Sequence, residues 1–118
     1  MGYQTDFYGA FDVTPEMKEK DAQELIDFSE QRHDDLAGDA AKCPGVWNQW
    51  VPDESRKYIE WDGGEKFYEY VEWIKYLIDH FLAPWGIVVN GSVEWRGEDW
   101  GDTGTISVED NEVSTSSP

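Results

Sequence analysis

The sequence predicts an α+β domain in which an antiparallel sheet carries two helices on one face. Three observations lead there. Residues Phe7 to Val13 alternate with period two, Phe67 to Phe81 repeat with a helical period, and Ile87 to Trp95 return to period two. In chain order the elements read β-α-β-β-α-β-β, and such a sheet buries one face most simply under both helices. The first six elements match the split β-α-β plan, so a ferredoxin-like variant is expected. A single domain is expected over residues 1–113, with 114–118 as a frayed C-terminal tail.

The opening strand places Phe7, Gly9, Phe11 and Val13 on one side. Thr14 then reads as a helix N-cap, with Pro15 at the first helical position and Glu16 in the first turn. That helix carries Met17, Ala22, Leu25, Ile26 and Phe28 and fades between Gln31 and Gly38. The small, polar stretch from Asp34 to Gly45 is a connecting loop. Two short strands follow, Val46 to Val51 and Lys57 to Trp61, joined by the turn residues Pro52-Asp53-Glu54-Ser55.

The second helix is the clearest element. Phe67, Tyr70, Val71, Ile74, Leu77, Ile78 and Phe81 form one apolar stripe. Asp62-Gly63-Gly64-Glu65 reads as its cap, and Pro84-Trp85-Gly86 stops it near Leu82. Ile87, Val89, Val93 and Trp95 hold phase through Asn90-Gly91, which favours one long strand kinked or bulged at Gly91. Asn-Gly is also a hairpin signal, so two short strands are the alternative. Glu98 to Gly104 is a polar loop, Thr105, Ile106 and Val108 make the last strand, and Asp110-Asn111 turns it, with Val113 as a short extension.

Seven Trp, six Tyr and five Phe in 118 residues supply bulky core material, and a chain of this length needs no disulfide staples. Charge is the most informative feature of the composition. Twenty-six acids oppose nine Lys and Arg, giving −17, and after Lys75 only Arg96 is basic. Such a chain repels phosphate backbones and anionic membranes, so neither direct nucleic-acid binding nor membrane binding is expected. Basic protein surfaces are the expected partners, although the same acidity also keeps an aromatic-rich chain in solution. Cys43 is the only cysteine, which excludes an intrachain disulfide and a cysteine-based zinc site. The opening residues carry no leader pattern, and no apolar run approaches the ~18 residues of a membrane span. A cytoplasmic location is expected, the host interior if the chain is phage-encoded.

Asp62-Gly63-Gly64-Glu65-Lys66 could cradle an anion at a helix start. It lacks both the Walker spacing and the Gly-x-Gly-x-x-Gly order, and Glu60, Asp62 and Glu65 would repel a phosphate, so a capped helix is the simpler reading. Glu94, Glu98, Asp99, Asp102, Glu109 and Asp110 gather around the last hairpin. Oxygen-rich loops can hold Ca²⁺ or Mg²⁺, but no EF-hand order fits, and a solvated acidic loop is the plainer reading. His33 and His80 stand apart from each other and from Cys43. No catalytic, cofactor-binding or metal-binding residue is assigned.

Trp73, Tyr76 and His80 form a second line on the second helix, off its main stripe, and Trp100 sits in the acidic loop. Exposed rings among acids suit a protein-binding hot spot; packing under loops or a homodimer contact is the alternative. The partner-binding candidates are therefore Trp73, Tyr76, Trp100, Glu98, Asp99, Asp102, Glu109 and Asp110.

Several segments together carry a resemblance. They are Met1-Gly2-Tyr3 with Thr5-Asp6-Phe7; Trp47-x-x-Trp50-Val51-Pro52; and Ile59-Glu60-Trp61-Asp62-Gly63-Gly64-Glu65-Lys66-Phe67-Tyr68 through Tyr70-Val71-Glu72-Trp73 to Pro84-Trp85-Gly86. Asn90-Gly91, Val93-x-Trp95, Gly97-Glu98-Asp99 and Asp110-Asn111 complete the set. On these the chain resembles a family of small acidic proteins from bacteria and their phages. The resemblance implies a phage or mobile-element context and carries over no activity, cofactor or catalytic residue. Family members have a longer, more basic insertion where this chain has the loop from Asp34 to Gly45, so a function housed there does not transfer.

The expected function is non-enzymatic: an acidic protein-binding protein, such as a phage-encoded inhibitor of a host nucleic-acid-handling or defence complex (an anti-CRISPR or DNA mimic). The alternative is a small-molecule or divalent-metal-dependent activity using the sheet face and carboxylates such as Glu60, Asp62, Glu94 and Glu98. A third reading is a homodimeric structural module joined through exposed aromatic rings.

Overall fold

In the computed structural model, which describes residues 4–31, 47–64 and 67–117, the early alternation becomes a ten-residue strand, β1 (Thr5–Thr14). Phe7, Phe11 and Val13 are buried on one side, while Asp6, Tyr8 and Asp12 face outward. The remaining elements are α1 (Glu19–Ser29), β2 (Trp50–Pro52), β3 (Tyr58–Trp61), α2 (Tyr70–Leu77), β4 (Val88–Gly97), β5 (Thr103–Glu109) and β6 (Glu112–Ser116). A π-helical turn, Ile78–Leu82, continues α2. The strands form one six-stranded antiparallel sheet in the order β2-β3-β1-β4-β5-β6. The fold is α+β. Inward residues of the strands join Ala22 and Leu25 of α1 and Trp73, Ile74 and Leu77 of α2 in one core cluster, leaving the other sheet face open.

Several boundaries differ from the local signals. Thr14 ends β1 rather than capping α1, which begins only at Glu19 with no side-chain cap on Lys18. Val13 N donates to Lys57 O (2.8 Å) and Met17 N to Arg56 O (2.9 Å), so the chain stays extended past Pro15 beside the β2–β3 turn. β2 begins at Trp50 rather than Val46. The buried Asn48 side chain accepts from Trp50 N (3.1 Å) and donates to Trp50 O (2.9 Å), bracing the backbone where the strand opens. α2 starts at Tyr70, not after Asp62. Asp62 Oδ1 accepts from Gly64 N (2.7 Å) in a local turn, and Glu69 at φ 57° breaks the helical path before Tyr70. Phe67 is buried against Phe7 and Trp50 ahead of the helix. Glu65 of the expected cap, Lys66, Val46 of the expected strand, the loop from Asp34 to Gly45, His33 and Cys43 lie outside the described residues.

Pro84-Trp85-Gly86 does end the helical segment. Pro84 has no N–H to continue the ladder, and the widened bond Ala83 N to Ile78 O (2.8 Å) precedes it. Ile87 N donates to Leu82 O (2.9 Å) and Gly86 N to Ala83 O (2.9 Å), with Gly86 at φ 79°, closing the end as a Schellman motif.

β4 is one long strand. Its register with β1 runs from Thr5↔Gly97 to Thr14↔Val88, with Gly91 opposite Phe11 on one side and Val108 on the other, so no residue is skipped. Gly91 sits at φ 116°, and a Cβ there would stand 2.7 Å from Asp12 Oδ1. Glycine is thus required for a kink within continuous pairing. Residues 114–116, expected as part of a frayed tail, belong to β6, which adds a strand to the five expected. The Asp110-Asn111 turn returns the chain along β5, and five register pairs from Glu109↔Glu112 to Thr105↔Ser116 hold it.

Candidate functional site

The turn joining β4 to β5 presents the most exposed ring of the described residues. Trp100 is 101% exposed, the value of a side chain touching almost nothing. The backbone beneath it is well tied. Gly97 N donates to Asp102 O (2.8 Å), Asp102 N to Asp99 O (3.0 Å) and Thr103 N to Gly101 O (3.0 Å). Two of the acids brace the turn: Asp102 Oδ1 accepts from Trp95 Nε1 (3.1 Å), and Glu98 Oε1 from Gln4 N (2.9 Å). Beside the ring, Arg96, Gly97, Glu98, Asp99, Gly101 and Thr103 line a surface hollow of about 680 Å³. Trp95, whose indole supports Asp102, lies directly over Gly104, in close contact where any side chain would stand. This glycine lets the ring cross the sheet and carry the turn.

The eight partner candidates do not form one surface. Glu98, Asp99, Trp100 and Asp102 share the β4–β5 turn, whereas Glu109 and Asp110 sit at the opposite end of β5. A seven-residue strand separates the two groups by about 20 Å at 3.3–3.4 Å per residue. Trp73 leaves the set altogether. It is 0% exposed, with Phe28 near the end of α1 edge-on to it at 5.8 Å. Tyr76 is half-buried between Phe28 (stacked, 5.9 Å) and His80 (stacked, 4.2 Å). Trp73 and Tyr76 of the second aromatic line thus pack against Phe28, and His80 stays exposed on Tyr76.

The carboxylates considered for catalysis or metal binding are also dispersed. Glu60 and Glu94 lie on the open sheet face in β3 and β4, Asp62 follows β3, and Glu98 is in the turn. Among the described residues no three His, Cys, Asp or Glu side chains come together as metal ligands. The carboxyl of Asp62 has a raised pKa. Packing around it raises the pKa above the ordinary aspartate value, against a smaller lowering by the Gly64 N–H. The native state therefore holds this proton more tightly than the unfolded chain. The resulting stabilisation is complete below the unfolded pKa and is lost as pH rises through the folded one. Asp62→Asn keeps an oxygen for Gly64 N and removes the ionisation. It is expected to raise the melting temperature at neutral pH and to leave it unchanged in acid below the aspartate range. Thermal melts at both conditions check this, and a neutral-pH loss would contradict it.

The open sheet face, the expected setting of the alternative activity, carries a hollow in which Glu94 is the one carboxylate of that set. Tyr8, Glu94, Arg96, Thr103, Thr105 and Ser116 line a hollow of about 470 Å³ there, with the Arg96 guanidinium 6.0 Å from the Tyr8 ring centre. Its sequence signal lies in the residues alternating with the buried ones on β1, β4 and β5, which become a surface only once strand order is known. No family model, curated protein or solved structure matches this chain. No helix among the described residues is long and apolar enough to cross a membrane.

Proposed function

We propose that this chain is a non-enzymatic binding protein whose β4–β5 turn docks on the basic surface of a protein complex, competing there as a mimic of nucleic-acid charge. The observation that carries the reading is Trp100, wholly exposed on a hydrogen-bonded turn and flanked by Glu98, Asp99 and Asp102. Tryptophan dominates the energetics of many protein interfaces once buried by a partner, and a braced turn loses little freedom on binding. The net charge of −17 adds long-range attraction to a basic surface and speeds encounter. A phage-encoded inhibitor of a host nucleic-acid-handling or defence complex fits these properties and the sequence resemblance. The split β-α-β reading of the first six elements belongs here too; it is supported by the position of β1 between β3 and β4, with β5 and β6 as additions.

The test is affinity capture from bacterial lysate at low and high salt, followed by quantitative binding to the complex recovered. A basic, nucleic-acid-binding complex should be held at low salt, released at high salt and displaced by duplex DNA. Trp100→Ala should weaken binding by about tenfold or more. Affinity indifferent to both salt and Trp100→Ala would refute the reading.

A further inference from the structure

We propose that the outer edge of β6 accepts an extended, basic segment of a partner protein as a seventh strand. The inference rests on the reading of the chain as a binder of basic proteins and names how such a partner attaches.

β6 ends the sheet, and its turn decides which backbone groups look outward. Asp110 (φ 48°) and Asn111 (φ 71°) form a two-residue primed turn with Glu109 opposite Glu112. In such hairpins the pair flanking the turn is hydrogen-bonded, and bonded and non-bonded pairs alternate from there. Glu112, Ser114 and Ser116 thus direct N–H and C=O groups toward β5, while Val113 and Thr115 direct theirs away from the sheet. Soluble proteins usually blunt such an edge with proline, lysine, a bulge or brevity. The opposite edge is blunted in this way: β2 has three residues and ends in Pro52. β6 has five residues, none of them proline or lysine, and its register with β5 is unbroken.

The ground beside the edge selects the strand it would take. Two hollows flank the Thr115–Ser116 end, one on each face of the sheet. The open-face hollow of about 470 Å³ holds Glu94 and Arg96. On the helix side, a hollow of about 420 Å³ holds Glu69, Glu72 and Lys75 beside Tyr70 and Trp95. Successive side chains of an added strand point to alternate faces, so adjacent residues would reach different hollows. Lysine or arginine suits the helix-side hollow, its stem lying on the rings and its head near Glu69 and Glu72, while in the open-face hollow Arg96 balances the carboxylate of Glu94. The charge of −17 favours a basic strand and opposes pairing of β6 with a second copy of this chain.

The experiment titrates the chain with the capped hexapeptide Thr-Val-Arg-Arg-Val-Thr, which offers one arginine to each face, and follows amide hydrogen exchange by NMR. Exchange at Val113 and Thr115 should slow by about tenfold or more at saturation. Thr115→Pro, which removes an outward N–H and leaves the β5 ladder intact, should weaken peptide binding by about tenfold or more. Peptide binding without slowed exchange at these two amides, or no binding at millimolar peptide, overturns the inference; the wild-type exchange decides even if the proline variant fails to fold. A captured basic complex held equally well by Thr115→Pro overturns the edge inference alone. Edge protection by the peptide without any salt-dependent capture overturns only the proposed function.

Discussion

Trp50→Ala is expected to cost about 3–5 kcal/mol of folding stability, enough to unfold much of a small domain. Trp50 is 0% exposed and meets Phe7 at 5.2 Å, Phe11 at 5.4 Å and Phe67 at 5.3 Å, all edge-to-face. Its indole Nε1 also donates to Tyr70 O (2.9 Å), tying the short edge strand β2 to the start of α2. Alanine therefore opens a cavity at the junction of three elements and removes the side-chain hydrogen bond to the Tyr70 carbonyl. Trp50→Phe separates the two effects: it keeps most of the ring contact, loses the bond to Tyr70 and should cost less than alanine. Urea unfolding at constant slope measures both. A cost below about 1 kcal/mol for the alanine variant would mean that Trp50 does not join these elements.

Asn111→Ala is expected to cost about 2–4 kcal/mol, unusually much for a turn residue. The Asn111 side chain accepts from Val89 N (2.6 Å) and donates to Ile87 O (3.2 Å), and its own N–H donates to Val89 O (3.1 Å). The β5–β6 turn is thereby clamped to the entry of β4. Beside it, Asp110 N donates to the Asn90 side chain (2.9 Å). Alanine would strand the Val89 N–H and also hold a side chain at φ 71°, where asparagine is tolerated better. Asn111→Gly relieves the backbone while losing the clamp, so it should recover only the smaller part. Equal stability of the glycine variant and the wild type would show that the side-chain bonds contribute nothing.

The sequence was legible where one element decides its own pattern. The alternation of Phe7, Phe11 and Val13, the stripe of Tyr70, Ile74 and Leu77, and the phase of Val89, Val93 and Trp95 each became a buried face. The stop at Pro84-Trp85-Gly86 was equally local. The failures depended on neighbours distant in the chain. Thr14-Pro15 has the chemistry of a helix start, yet bonds to the β2–β3 turn keep that segment extended. Trp73 looks surplus on α2 alone and becomes core only when α1 brings Phe28 against it. The polar β6 carries no strong strand signal of its own and is held by pairing with β5. Within the candidate site, Trp100 among acids could be read directly. The separation of Glu109 and Asp110 from that turn could not, because it depends on how far β5 extends between them.

The strand order has a consequence for synthesis. β1 sits in the middle of the sheet but is the first described element to leave the ribosome. Its first neighbour, β3, offers only the pairs Phe11↔Ile59 and Asp12↔Tyr58. The ten-pair partnership with β4 is complete only once Gly97 is available to Thr5. Until β4 has emerged β1 therefore has no full-length partner, and the central pairing must wait to close the loop from Thr14 to Val88. Long-range closure of this kind slows folding. Until it closes, the nascent segment has an unpaired edge, the condition in which the abundance of acidic side chains does most to keep neighbouring copies apart.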